Sequence, residues 1–103
     1  MQIVGKAAAD GHTLLMGSST QFSITPALRP NLPYDPVRDL APVSLVVNNV
    51  ELLVVNPNTP VNQPQEFIQL AKQKRVSMAS SGTGSVPHLA MELLADATKT
   101  DLL

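Results

Sequence analysis

The sequence predicts an α/β protein assembled from strand–loop–helix units. Three observations carry that expectation. Short apolar or β-branched runs of strand length recur at Thr13–Gly17, Val43–Val47, Glu51–Val55 and Arg75–Ala79. The first and last of them open directly into loops of serine, threonine and glycine, Gly17–Gln21 and Ser80–Ser85. An apolar helical repeat then comes after the last loop, at Val86, Leu89, Ala90, Leu93, Leu94 and Ala97.

The totals set limits on this picture. A chain of 103 residues fits one small domain or a piece of a larger one. Its hydrophobic share of 44% against 15% charged residues suits a globular protein rather than a disordered one. Aromatics are 3%, so the core must be aliphatic. A net charge of −1 recruits neither nucleic acid nor an anionic membrane surface. The one basic cluster, Lys72, Lys74 and Arg75, falls at the end of an expected helix, where it complements the helix dipole. The absence of cysteine rules out disulfides, thiolate metal sites and a cysteine nucleophile. Met1–Lys6 lacks the basic segment and apolar core of an export leader, and no apolar run is long enough to span a bilayer.

Taken in order, residues 2–9 resemble the tail of a helix, stopped by Asp10-Gly11 with Gly11 as left-handed cap. Thr13–Gly17 reads as a buried strand, and a short helix is expected from Gln21 to Leu28. Pro26, Pro30, Pro33, Pro36 and Pro42 forbid regular structure between them, so Asn31–Arg38 should be an extended crossing. Within it, Asp35–Leu40 has the form of a capped turn, and Tyr34 should pack the crossing onto the body. Val43–Val47 and Glu51–Val55 read as two buried strands broken at Asn48-Asn49. Asn56–Pro60 is the best internal linker. Asn62 with Gln65 forms a capping pair for a helix running to about Lys74, with Phe67, Leu70 and Ala71 on one face and Ile68 beside them. Ser85 is the expected N-cap of the last helix, with Pro87 tolerated in its first turn. Asp101-Leu102-Leu103 looks like the start of another strand.

Met78–Leu89 is the stretch richest in chemistry. Glycines permit close backbone approach, and hydroxyls and free N–H groups at a helix start suit an anion. The same residues also describe a polar turn with a helix cap, and the local pattern leaves both readings open. A hydrolase elbow is disfavoured, because Gly82-Thr83-Gly84-Ser85-Val86 lacks its last glycine and His88 shares the helix with Ser85. A phosphate-binding Walker loop needs a lysine that is not near Gly84. A dinucleotide fingerprint needs a third glycine where Pro87 stands. His12 and His88 are the only imidazoles and have no metal-ligand spacing, so no metal or cofactor is expected. His88 is open between a helix-surface residue, a backbone-bonded residue and the wall of a ligand site. What remains is recognition of a small anion by N–H groups and hydroxyls at the carboxyl ends of strands.

Asp10-Gly11-His12-Thr13-Leu14-Leu15-Met16-Gly17-Ser18-Ser19 is similar to a stretch of the tripartite tricarboxylate transporter receptors, also called the Bug family. The resemblance continues through Leu32–Pro36, Asp39–Ser44 and Leu53–Pro57, and closes with Ala79–Ser85 and His88-Leu89-Ala90. It implies a partial fold of the type II periplasmic-binding-protein kind, truncated, with residues 1–57 in a first lobe and 58–103 forming the crossing and the start of a second. It implies a periplasmic solute-binding protein, not an enzyme, that delivers a tricarboxylate, an acidic amino acid or an aromatic acid to a membrane permease. Ser18, Ser19 and Thr20 would then belong to one ligand loop and Ser81, Gly82, Thr83, Gly84 and Ser85 to another, with His88 behind the second. Family members are about three times this length and carry a first strand with a Pro-Gly-Gly loop that this chain lacks. A fragment of this kind would leave apolar faces and strand edges open, so self-association into a homo-oligomer is expected. The alternative reading is therefore a non-binding interaction module.

Overall fold

Helices form where the sequence supplies caps and periodicity, and the expected sheet does not form. The computed structural model describes residues 1–103 and divides into two compact units, Met1–Asn49 and Val50–Leu103.

In the first unit, α1 is a single turn, Gln2–Gly5. It stops before the alanine run, so the helix expected over residues 2–9 is shorter than its composition allows. Gly11 does adopt the left-handed conformation, at φ 80°, and Asp10 Oδ1 accepts a bond from His12 N–H at 3.0 Å across that turn. Thr20–Ile24 winds as a π turn and passes into α2, Thr25–Leu28, which gives the expected helix with a wider first turn. The proline-rich crossing is organised by two carboxylates. Asp35 Oδ1 accepts from Val37 N–H at 2.9 Å and from Arg38 N–H at 3.1 Å. Asp39 Oδ2 accepts from Asp35 N–H at 2.8 Å, while Asp39 N–H donates to the Asp35 carbonyl at 2.8 Å. Tyr34 Oη donates to the Gln21 carbonyl at 3.1 Å and ties the crossing to the π turn.

In the second unit, Asn56 Oδ1 accepts from Asn58 N–H, and the Asn56 carbonyl accepts from Thr59 N–H, which turns the linker before α3, Pro64–Gln73. The expected Asn62/Gln65 capping pair is replaced. Glu66 Oε2 reaches back to Asn62 N–H at 2.6 Å, because Gln63 is the N-cap and Glu66 the third residue of the helix. Phe67 and Ala71 are buried, as their face predicts. Helix α4, Val86–Thr98, begins at Ser85, whose Oγ accepts from His88 N–H at 3.4 Å. It ends at Lys99 in the left-handed conformation rather than at a glycine. Its inward face is turned by about one residue, roughly 100°, from the expected stripe: Leu93 is 71% exposed, whereas Pro87, Met91 and Leu94 border an apolar groove with Leu53, Val55 and Phe67.

The α/β expectation is met only in part. Val76 and Leu102 form an isolated parallel bridge, with Met78 N–H to the Leu103 carbonyl at 2.7 Å and Leu103 N–H to the Val76 carbonyl at 2.9 Å. Arg75 Nε adds an ion pair to Asp101 Oδ2 at 3.1 Å. The strands expected at Thr13–Gly17, Val43–Val47 and Glu51–Val55 are not formed, and most of their large side chains are exposed. The physical reason is pairing: a strand exists only where another segment receives its N–H and C=O groups, and no segment of this chain does so for residues 43–55.

Candidate functional site

The expected site residues fall in two loops, one in each unit. In the first, Ser18 is engaged with its own turn. Its N–H and Oγ both donate to Gln21 Oε1, at 3.0 and 2.6 Å, and its carbonyl accepts from Gln21 and Phe22 N–H. Ser19 is the residue before the π turn and Thr20 is its first residue, half-buried. Phe22 is a contributor that composition did not reveal: its ring lies over Gly17, where an added Cβ would come within 2.6 Å of it. A glycine directly before a serine pair, with an aromatic five residues on, is the signal that could have found it.

The second loop is built differently. Gly82 and Gly84 take φ values of 119° and 80°, which side chains rarely adopt. Ser80 Oγ accepts from Gly82 N–H at 3.3 Å, and the Gly82 carbonyl accepts from Ser85 N–H at 3.1 Å. His88 Nδ1 accepts from Gly84 N–H at 3.5 Å, and its Nε2 stands 3.7 Å from Glu92 Oε1. The ring therefore bonds to the backbone of the loop and packs behind it. Acceptance at Nδ1 assigns the ring proton of the neutral form to Nε2, facing Glu92. The N–H groups of Ser81, Thr83 and Val86, and the hydroxyls of Ser81 and Thr83, have no partner within the chain. They gather at the start of a helix of 13 residues, where the peptide dipoles favour negative charge. This loop offers N–H and hydroxyl donors and no cation, an arrangement suited to holding an anion.

No three His, Asp or Glu side chains gather to hold a metal ion. No helix is long and apolar enough to cross a membrane. The perturbed ionisable groups lie elsewhere, in the crossing of the first unit. Asp39 is held below the usual carboxylate range, first by the Asp35 N–H and then by Arg38, whose Nε donates to Asp39 Oδ1 at 3.0 Å. Arg38 is raised by that same bond.

All 103 residues match one protein family, described as the tripartite tricarboxylate transporter family receptor. The chain belongs to this family, a family of receptors rather than enzymes. It is 35% identical to a UPF0065 protein of Bordetella pertussis over 99% of its own length and 31% of that protein. It is 37% identical to the protein BugT of the same organism, over 85% of this chain and 28% of BugT. A UPF0065 protein from the tcbD-tcbE intergenic region of a Pseudomonas species is 34% identical over 98% of the chain and 30% of that protein. The chain thus spans about 30% of the length of the curated relatives it matches. No solved structure matches it.

Proposed function

We propose that this chain is the part of a periplasmic solute receptor that contributes to holding a small carboxylate for a tripartite transporter. The classes that fit are tricarboxylates, acidic amino acids and aromatic acids, all of which present an oxyanion to N–H and hydroxyl donors. The observation that carries the reading is the set of unengaged donors at Ser81, Thr83 and Val86, at the head of α4, in a chain whose whole length matches the receptor family. Ser81, Gly82, Thr83, Gly84 and Ser85 form this ligand loop, with His88 supporting it. Ser18, Ser19 and Thr20 form the other, where Ser18 already donates inward and Ser19 and Thr20 carry the contact. In the two-lobed α/β architecture of such receptors, residues 1–57 belong to the first lobe and 58–103 to the crossing and the start of the second. The physiological partner is the membrane permease that receives the solute.

Thermal unfolding of the chain with citrate, glutamate or benzoate tests the reading, since a ligand stabilises only the state that binds it. A concentration-dependent rise in Tm with at least one acid is expected. No rise with any of them, at concentrations up to the millimolar range, overturns it.

A second reading has its own support: the chain as an interaction module that associates with itself. Its accessible surface is 8258 Å². Two separate compact bodies of half its mass would expose about 6,800 Å² between them. Half of the exposed large apolar side chains fall in residues 43–55.

A further inference from the structure

The ring of His88 is the one titratable group that bonds to the Ser80–Ser85 loop. Its Nδ1 accepts from the Gly84 N–H at 3.5 Å, and Gly84 is buried. On the other side of the ring, Nε2 lies 3.7 Å from Glu92 Oε1, one helical turn on. This carboxylate draws the single proton of the neutral ring to Nε2 and leaves Nδ1 free to accept. A further proton must therefore arrive on Nδ1, the atom that holds the loop. Nδ1 then becomes a donor, and two N–H groups point at each other across the same short gap. That contact cannot survive, and both donors need a third group as acceptor. No other charged group of the second unit comes within ion-pair distance of the ring. The loop itself carries none, Arg75 pairs with Asp101 and Lys99 with Asp96, and Glu51, Glu66, Lys72 and Lys74 lie farther off.

We propose that His88 is a proton-operated latch on this loop: the neutral ring holds the Gly84 amide, and the protonated ring releases it, so that Gly84 N–H and Nδ1–H become two added donors for an anion. The link to an anion rests on the carboxylate reading of the loop; the latch itself rests on the two contacts of the ring. Its position makes the ring responsive. His88 is the third residue of α4, where the peptide dipoles oppose a positive charge. Glu92 offsets that opposition. The ring is 26% exposed, so a proton reaches it from solvent. Imidazole is also the side chain whose ordinary titration falls between about pH 5 and 8. An anion seated on the loop supplies the missing acceptor for both donors and a charge opposite to that of the ring. Anion binding and proton uptake then favour each other, by the same factor in both directions.

NMR of the chain without ligand tests the latch. Long-range proton–nitrogen spectra should show the His88 ring as the Nε2–H tautomer at the alkaline end. As pH falls from about 8 to about 5, the Gly84 amide should move with the same midpoint as the His88 ring. His12, the other imidazole, should titrate without moving Gly84. His88→Asn sets an amide oxygen near the place of Nδ1 that takes up no proton in this range, and should keep the Gly84 amide bonded throughout. Glu92→Leu should let the neutral ring populate the Nδ1–H tautomer and free Gly84 even at the alkaline end. Benzoate keeps a single charge over this range. It should bind the wild type about fivefold more tightly at the acid end, and His88→Asn with no such gain. A Gly84 amide that ignores the His88 titration, or that moves equally in His88→Asn, overturns the latch. A latch that titrates while benzoate affinity stays constant overturns its coupling to the anion. Failure of benzoate, citrate and glutamate to bind at any pH overturns the carboxylate reading, while the latch stands or falls on the ligand-free spectra.

Discussion

At Ser18 the hydroxyl and the amide both close on the side chain of Gln21, whereas at Ser81 and Thr83 neither group meets anything in the chain. The two loops are almost interchangeable in composition. The difference comes from the segment after each loop. A π turn with a glutamine at its second position lets the first loop satisfy itself locally. Two left-handed glycines and a proline-opened helix of 13 residues hold the second loop in a shape whose own side chains do not reach the amides of Ser81, Thr83 and Val86. Hydroxyl content therefore does not separate the two loops; the unengaged donors do.

Gly84→Val should break this contrast most severely. Gly84 is buried and sits at φ 80°, so a β-branched residue there costs about 1–2 kcal/mol. It should also withdraw the Gly84 N–H from His88. Loss of any carboxylate-dependent heat in calorimetry, with the α-helical signal largely kept, is the expected result; an unchanged affinity would remove the loop from the site. Ser85→Ala should cost about 1 kcal/mol through loss of the N-cap of α4, read as a lower midpoint in urea. Ser18→Ala should cost about 0.5–1 kcal/mol through its bond to Gln21, and should leave the carboxylate response of the chain nearly intact. If Ser18→Ala instead abolished that response, the two loops would be equals after all.

The smallest effect is one of pH, and it concerns the crossing alone. The folded Asp39 carboxyl lies below its ordinary value, so it binds its proton less readily in the folded chain than in the unfolded one. Its stabilising contribution is complete above the ordinary carboxylate value of about 4 and disappears as pH falls through the depressed folded value. Carboxyl-carbon NMR shifts tracked through acid titration should show Asp39 protonating below the ordinary carboxylate value, and Asp39→Asn should remove that step.

The helices were legible because their causes are local. Ser85, Pro87 and the apolar spacing of α4 announce its start, and Asp35 with Asp39 announces the closed turn. Errors of one or two residues entered where neighbours decide. Glu66 rather than Gln65 reaches back to Asn62, and Met91 rather than Leu93 enters the groove. The strands were not legible for a different reason. Val43–Val47 and Glu51–Val55 have the composition of buried strands whether or not a partner exists, and composition carries no information about the partner. Of the candidate site, the second loop could be read from its glycines, its hydroxyls and the helix after it. The engagement of Ser18 with Gln21 and the cover of Phe22 over Gly17 depend on side-chain geometry that spacing does not encode.

The parallel pairing of Val76–Met78 with Asp101–Leu103 has a consequence for the order of folding. Its two segments are joined by a loop and by α4, so most of the intervening chain is ordered by its own helix before the ends meet. The pairing is long-range in sequence, and the ordered helix between its two segments lowers the entropy cost of closing that loop. The pairing also holds the Ser80–Ser85 loop between two fixed points. Amide hydrogens at Met78 and Leu103, which donate across the pair, should exchange more slowly than those of Val50–Val55, which bond to no other segment of the chain. The loop with unengaged donors thus lies between a backbone pairing on one side and the start of α4 on the other.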